Sequence, residues 1–413
     1  MRIAIVVFDG LADRPLRELR NKTPLEYVEK PNLDEIARSG ICGLLDPIAP
    51  GVRPGSDTAH LALLGYDPFT YYTGRGALEA AGSSIEVGPR DIAFRCNFAT
   101  VNESLEVIDR RAGRATDGLK ELARSLDGLK LKTARDLEVI FRWTIGHRAI
   151  LMLRGDGLSN KISDVDPGKL GVKPLASKPL QPVPEAKKAA EALNEFVGLS
   201  HEILKTQSAN ALRVREGKLP ANMILPRGAG VPPKLESLRD KYGIEKSACV
   251  AEVMLVKGVA HYAGMRIINA PGSTADLNTD VESIGRVVLE ALRENDFVLT
   301  NVKGGDVAGH DGNVEGKVKM IEKLDRMMGL LLSGVDRENT LIAMTSDHTT
   351  PVSFKNHTGD PVPIAVSGTT VRVDEVKRFD ERSVVRGGLG RIRGVDLMPL
   401  LLNFAGRARK FGD

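Results

Sequence analysis

Cysteine is almost missing from this chain: Cys42, Cys96 and Cys249 are the three among 413 residues. Widely spaced and odd in number, they exclude a disulfide framework and a structural zinc knuckle. Aromatic residues are also few, at 4 %, so the cores must be aliphatic, and surface for stacking nucleic-acid bases is lacking. No apolar run approaches the roughly 18 residues of a membrane span. The N-terminal apolar run is short and ends at Asp9, so it reads as a strand and not as a signal peptide. Charge of one sign is not concentrated anywhere: the net charge is +4, with lysine and arginine dispersed among carboxylates. A pI near 8.8 therefore argues for no nucleic-acid partner, and local arginine enrichment suits a small anionic substrate better. A cytoplasmic enzyme with a small-molecule substrate fits these absences, and nothing in them fixes an oligomeric state.

Carboxylates at the ends of buried strands are what the chain does have. Arg2-Ile3-Ala4-Ile5-Val6-Val7-Phe8 is a near-continuous apolar run, as expected of a strand covered on both faces, and it ends in Asp9-Gly10. Phe297–Val302 leads into Asp306-Val307-Ala308-Gly309-His310, and Thr340–Met344 leads into Asp347-His348, with His357 nine residues on. Carboxyl ends of parallel strands are where open α/β sheets keep their ligand sites. Three of the seven histidines fall in these runs. Oxygen and nitrogen donors without sulfur suit Mn²⁺, Mg²⁺, Zn²⁺ or Co²⁺. Any one such Asp could be a turn residue or a cap; three together, two of them followed by histidine, point to a catalytic metal centre.

Pro54-Gly55-Ser56-Asp57 reads as a glycine turn feeding a short helix, with Ser56 as its N-cap. Free N–H groups and the positive end of the helix dipole beside that hydroxyl favour a phosphate. A serine needs a base or a metal to become a nucleophile, and metal coordination is the activation on offer.

Strand, Asp9, helix Asn32–Ser39, strand Gly43–Leu45 and the Ser56 helix form a first α/β part, resumed near Ala248–Val256. The helical period of Val281–Leu292, helix Lys317–Leu332 and a last helix Val395–Phe404 follow. Alternating strands and helices imply a mostly parallel sheet with helices on both faces. The middle differs: β-like stretches Ile92–Val101, Leu137–Trp143 and Ala149–Leu153, an exposed loop Lys173–Pro184, a helix Pro184–Val197, and a return hinge at Pro226–Pro233. The expected division is a discontinuous domain, 1–85 and 221–413, interrupted by an α+β insert, 86–220.

The ordered set of these motifs resembles the alkaline phosphatase superfamily and, within it, the archaeal-type cofactor-independent (2,3-bisphosphoglycerate-independent) phosphoglycerate mutases. The likeness extends from Asp9-Gly10-Leu11-Ala12-Asp13-Arg14-Pro15 through Lys22–Glu26, Pro31–Asp34 and the Ser56 motif. It continues in Thr73-Gly74-Arg75-Gly76, Phe94–Phe98, Lys257–Ala260 and Ala263–Met265, and ends in the two metal runs and His357–Pro363. It implies an alkaline phosphatase-like sheet with a smaller inserted α+β domain, and an isomerase that interconverts 3- and 2-phosphoglycerate in glycolysis and gluconeogenesis through a phosphoserine. It also implies two divalent ions, Mn²⁺ foremost, and no bisphosphoglycerate. Asp306, His310 and His357 would hold one ion. Asp9, Asp347 and His348 would hold the other, with Ser56 Oγ as a further ligand, and Lys303 matches a family lysine that touches the phosphoryl group.

The resemblance assigns the glycerate to the insert, where arginine is suited to a bidentate grip. The candidates are Arg95, Arg110, Arg114, Arg148, Arg154 and Arg227, with Asp109-Arg110-Arg111-Ala112-Gly113-Arg114 resembling the substrate-binding run of family inserts. For proton transfer the choice falls on Asp166, in Ser163-Asp164-Val165-Asp166-Pro167, with Asp164 and His147 as rivals. The same metal ligands would equally serve a metal-dependent phosphomonoesterase or another phosphomutase. A metal-stabilised binding protein is disfavoured by the intact nucleophile.

Overall fold

The computed structural model describes residues 1–410 and 412. The chain divides into two compact units, one made of residues 1–72 and 234–413, the other of residues 73–233. Among the described residues the first unit carries strands β1 (Arg2–Phe8) and β2 (Gly40–Asp46). The second has β3 (Asp91–Val101), β4 (Val107–Asp109), β5 (Glu138–Trp143), β6 (Arg148–Arg154) and β7 (Met223–Gly230). The first unit then resumes with β8 (Ser247–Ala251), β9 (Arg266–Ile268), β10 (Phe297–Val302), β11 (Thr340–Thr345), β12 (Val362–Ser367) and β13 (Gly390–Arg393).

The first unit is an eight-stranded sheet in the order β13-β2-β12-β11-β1-β10-β8-β9. Strand β1 pairs in parallel with β10 and β11, while β12 alone runs against its neighbours. Alternate residues of β1 face opposite sides, yet Ile3, Ile5 and Val7 are as buried as Val6 and Phe8, so both faces are covered. On one side Val6 and Phe8 share a core with Ile284 and Val288 of helix Val281–Glu294 and with Leu324, Met327 and Met328 of helix Val314–Gly334. Because β1, β10 and β11 lie side by side in one direction, the segments that follow them leave the sheet at one edge. The mostly parallel sheet expected from the alternating pattern is the sheet observed.

The second unit is antiparallel: β3 lies between β6 and β7 and also pairs with β4, while β5 pairs with β6. Helix Pro184–Leu204 runs about two turns past its expected end at Val197, because Leu204 still has core to cover. The boundaries also differ from the expected 86 and 220. Helix Arg75–Gly82 belongs with the second unit because Gly76 packs on β3; a Cβ there would meet the Ala93 carbonyl at 1.9 Å. Residues 226–230, expected as a hinge, continue β7, and Pro226 is tolerated because β7 is an edge strand with its ladder on one side only. Conversely, the run Ala248–Val256 breaks: the strand stops at Ala251 and a helix starts at Met254. Among the described residues no helix is long and apolar enough to cross a membrane.

One buried cation ties the loops at the functional edge of the first sheet. Lys317 Nζ, fully enclosed, donates to Asp13 Oδ2 at 2.7 Å, to the Thr350 carbonyl at 2.7 Å and to the Ala12 carbonyl at 3.2 Å. Burial pulls the Lys317 ammonium below its ordinary range, with Asp13 opposing that shift. Replacing Lys317 by Met should leave the buried Asp13 carboxylate without its cation and destabilise the protein by about 3–5 kcal/mol. Urea unfolding measures this, and a change under 1 kcal/mol would refute it.

Candidate metal centre

The ends of β1, β10 and β11 bring Asp9, Asp306 and Asp347 together. The chain turns after β1 at Gly10 (φ +61°), where a Cβ would sit 2.6 Å from that of Asp306 and 2.7 Å from Thr350 Oγ1; only glycine lets the loops approach this closely. Past β10 the chain enters helix Gly304–Asp311, so Asp306 and His310 project from one helix face at i, i+4 spacing. Asp347 and His348 follow β11 directly, and Asp347 Oδ1 accepts the Gly10 N–H at 3.0 Å. All three carboxylates and His348 are buried.

Hydrogen-bond partners fix where the imidazole lone pairs point. His310 Nδ1 donates to the Lys355 carbonyl at 3.0 Å and His357 Nδ1 to the Pro54 carbonyl at 2.8 Å. In the neutral rings both Nε2 atoms are then bare acceptors, yet they lie 3.2 Å apart and 3.4 and 3.2 Å from Asp306 Oδ1. Three acceptors converging on one point call for a cation. Around His348 the pattern repeats. Thr350 Oγ1 donates to Asp306 Oδ1 at 2.9 Å and receives His348 Nδ1–H at 2.9 Å. This turns Nε2 toward Asp347 Oδ2 (3.3 Å), Asp9 Oδ1 (3.5 Å) and Ser56 Oγ (3.4 Å). Asp347 Oδ2 is buried with no hydrogen-bond donor. The residues therefore fit two cations, grouped as Asp306, His310, His357 and as Asp9, Asp306, His348. Asp306 belongs to both groups, a sharing the sequence did not disclose.

Electrostatics point the same way. Burial, with His357 nearby, holds the His348 imidazole well below its ordinary range, so it stays neutral. Burial and then the Asp9 carboxylate push Asp347 well above the carboxylate range. Lys303 Nζ lies 3.0 Å from Asp9 Oδ1 and 2.5 Å from Asp306 Oδ2. Burial works against its charge, and these carboxylates hold it above the ordinary lysine range nonetheless. Asp306 is held well below the usual range against its burial, chiefly by Lys303 and by the His357 hydrogen bond.

Ser56 opens helix Ser56–Leu63 as its first helical residue, not as the expected cap. Gly55 takes the cap position, and its N–H donates to Thr58 Oγ1 at 3.0 Å, so the Ser56 hydroxyl is not spent on capping. Its Oγ lies 3.5 Å from Asp9 Oδ2. Three supporting residues escaped the sequence reading. His60 Nδ1 bonds to the Ser56 carbonyl at 2.7 Å, Asn301 Nδ2 donates to Asp9 Oδ2 at 3.0 Å, and Thr350 joins the two cation groups. Asn301 left one visible signal, an amide inside the mostly apolar β10.

In the second unit the six candidate arginines separate. Arg95 on β3 sits opposite Arg227 on β7, and its Nη1 lies 3.4 Å from Glu79 Oε2. Burial pulls Arg95 well below the arginine range, countered by Glu79, with Arg148, Arg75 and Arg227 adding to the fall. Buried and without hydrogen-bond partners are Arg75 Nε, Glu79 Oε2, Arg95 Nε, Asn97 Oδ1 and Arg227 Nε, a polar set that sequence reading captured only in part. Burial, then Arg148, Arg111, Arg95 and Arg114, depress the His147 pKa to about 4. Arg154 is elsewhere: it ends β6, the strand that Arg148 begins, and pairs with Asp91 at 3.0 Å. The pairing is explained by Asp91 directly facing Arg154 in the β3–β6 register. Arg110 makes a two-pronged bond to Asp166 (2.9 and 2.7 Å). Asp166 also accepts the Gly168 N–H, and Arg110 and Arg227 help hold it below the carboxylate range against its burial. A carboxylate so engaged is a poor proton carrier, and the geometry makes Asp166 the anchor of Arg110. Asp164 Oδ1 accepts the Gly228 N–H at 2.7 Å.

Residues 37–210 match the family described as 2,3-bisphosphoglycerate-independent phosphoglycerate mutase. A relative of that name from Methanothermobacter thermautotrophicus is 49 % identical over 413 residues, covering all of both chains. Another from Ignicoccus hospitalis is 49 % identical over 416 residues, covering 100 % of this chain and 99 % of its own. Among solved structures, a protein from Pyrococcus horikoshii aligns with TM-score 0.86 at 37 % identity, covering 100 % of this chain and 99 % of its own. The cofactor-independent phosphoglycerate mutase of Thermoplasma acidophilum aligns with TM-score 0.70 at 36 % identity, covering 98 % and 100 %. With its α/β sheet, its converging acceptors and near-half identity over the full length, the chain belongs to the 2,3-bisphosphoglycerate-independent phosphoglycerate mutases.

Proposed function

We infer that this protein interconverts 3-phosphoglycerate and 2-phosphoglycerate without bisphosphoglycerate, through a phosphoryl group parked on Ser56. The observation that carries the reading is the placement of a serine hydroxyl not used for capping, at a helix N-terminus, 3.5 Å from Asp9 and 3.4 Å from His348. Asp306, His310 and His357 are assigned one divalent ion; Asp9, Asp347 and His348 are assigned the other, with Asp306 and Ser56 adjoining it. Mn²⁺ is the assigned metal, and Mg²⁺, Co²⁺ and Zn²⁺ suit the same oxygen and nitrogen donors. When bound, such ions concentrate positive charge opposite the oxygens of a transferring phosphoryl group.

Ser56 Oγ gives up its proton to solvent and attacks phosphorus, forming the serine–phosphate bond as the ester bond to glycerate breaks. The released glycerate oxygen takes up a proton. On return, the other hydroxyl gives up a proton and receives the phosphoryl group, and Ser56 is restored. The N–H groups of the first helical turn and the Lys303 ammonium stabilise the phosphoryl oxygens. Arg95, Arg114, Arg148 and Arg227 are assigned to the glycerate, with Arg110 held ready by Asp166. His147 is the rival to Asp166 as proton carrier, since the Asp166 carboxylate is already engaged by Arg110.

Metal removal tests the first assignment. His310→Ala and His357→Ala should each lose one ion, Asp347→Ala the other, and Asp306→Ala should weaken both, as read by elemental analysis. Full activity in protein shown to be metal-free would end the two-metal reading.

Ser56→Ala should fold and keep its metals, since position 56 is not the helix cap, but lose mutase activity almost entirely. Mass spectrometry of the peptide containing Gly55-Ser56-Asp57, quenched during turnover, should show phosphate on the wild-type serine. Comparable turnover by the alanine variant would leave Ser56 without a catalytic role. Free phosphate in place of isomer would mark the protein as a phosphatase.

Arg114→Ala and Arg110→Ala should raise KM at unchanged metal content, at a cost of about 2 kcal/mol for a lost charged contact. Wild-type kcat/KM in both would remove this loop from the substrate site.

A further inference from the structure

Three consecutive residues in the 109–114 loop adopt the left-handed conformation: Ala112 (φ 45°), Gly113 (φ 66°) and Arg114 (φ 59°). Only the middle one is glycine, and each of the others costs energy because Cβ crowds the following carbonyl. Such strain persists only where the surroundings over-determine it. Like charge adds to the difficulty, since Arg110, Arg114 and Arg148 each depress the Arg111 pKa, behind burial as the first cause. Left to itself, this segment would relax and spread its cations.

The restraint is Arg213, on helix Ser208–Arg215 of the same unit. Its side chain is enclosed, with 1 % of its surface exposed. All three guanidinium nitrogens are spent on backbone carbonyls: Nη2 on Ala112 (2.9 Å), Nη1 on Ala115 (3.1 Å) and Asp117 (2.7 Å), and Nε on Leu219 (3.0 Å). Among the described residues no carboxylate pairs with it within ion-pair distance. A buried guanidinium that gives up every ion pair to hold three carbonyls of one short loop is placed there for the loop's shape.

We propose that Arg213 is a positioning residue for substrate binding, holding residues 112–117 in the strained form that presents Arg114 to an anionic group of phosphoglycerate. The proposal rests on the assignment of this loop to the substrate. Its ligand is a small carboxylate or phosphate, and Arg213 itself touches only backbone.

The test compares Arg213→Met, Arg213→Lys, Arg114→Ala and the Arg114→Ala/Arg213→Lys double variant as Mn²⁺-loaded full-length protein. Binding of 3-phosphoglycerate is read by calorimetry and by fluorescence of Trp143, the single tryptophan, whose Nε1 donates to Gly146 beside His147 and Arg148. Arg213→Met should weaken binding about tenfold, as expected for loss of one charged contact, and raise KM with kcat and metal content little changed. Arg213→Lys should recover part of the loss, since an ammonium reaches some of the carbonyls but not all. The double variant should bind no worse than Arg114→Ala, because both act through one contact. If Arg114→Ala binds normally, the substrate assignment of the loop falls. If Arg114→Ala is impaired while both Arg213 variants bind normally, the positioning role falls and the assignment stands. Additive losses in the double variant would also overturn it. Should Arg213→Met fail to fold by circular dichroism, the lysine variant and the cycle built on it decide.

Discussion

The carboxylate of Asp306 is the point on which the first unit's functional edge depends. One oxygen takes the Thr350 hydroxyl and faces His310 and His357; the other meets Lys303. Three carboxylates from three adjacent strands would repel strongly in a buried site, where charge interactions are many times stronger than in water. The fold brings them together regardless, because parallel β1, β10 and β11 end at one edge and Gly10 leaves no side chain to keep them apart. Positive charge must balance the set. Lys303 supplies part, and the bare imidazole nitrogens show where more is accommodated. The raised Asp347 pKa and its undonated oxygen are the remaining imbalance.

The second unit presents the complementary problem. Positive charge gathers there: behind burial, Arg148, Arg111, Arg95 and Arg114 all lower the His147 pKa, and Arg95 is offset by Glu79 at 3.4 Å. Such crowding is costly without an anion, which makes the cluster a standing demand for one. The two units thus hold charge imbalances of opposite sign, one suited to cations and one to a small anion.

Legibility in the sequence followed how local the cause was. Asp9, Asp306 and Asp347 could be read because each ends an apolar run that can only be a buried strand, and strand ends in such sheets share an edge. The Ser56 helix was visible from its glycine turn, but the cap was misplaced by one residue because Thr58 reaches back to Gly55. Asn301 and Thr350 were hard to read because they act on Asp9 and Asp306, partners brought near by tertiary packing, and His60, though its bond to Ser56 is local, carries no pattern that marks it. The sharing of Asp306 between two groups depends on the rotation of one helix, which periodicity does not specify. Arginine type alone could not separate Arg154, bound to Asp91 across a strand pair, from Arg148 six residues earlier. The unit boundaries moved because Gly76, an unremarkable glycine in the sequence, lets its helix lie directly on β3.

Strand β1 has a consequence for the order in which the chain can fold. Its ladder partners are β10 and β11, so Ile3 waits for Phe297 and Leu341. During synthesis this apolar strand emerges long before its ladder partners. The second unit, contiguous from residue 73 to 233, needs nothing from the C-terminal half and can close its core while β1 is still unpaired. Contacts this distant in sequence slow folding through the entropy of loop closure. An already folded insert shortens the effective loop that β1 must span. Pulse-labelled hydrogen exchange would register this as protection of β3 and β6 before β1. An inserted domain is then also a folding aid, compacting the chain between two strands that must find each other.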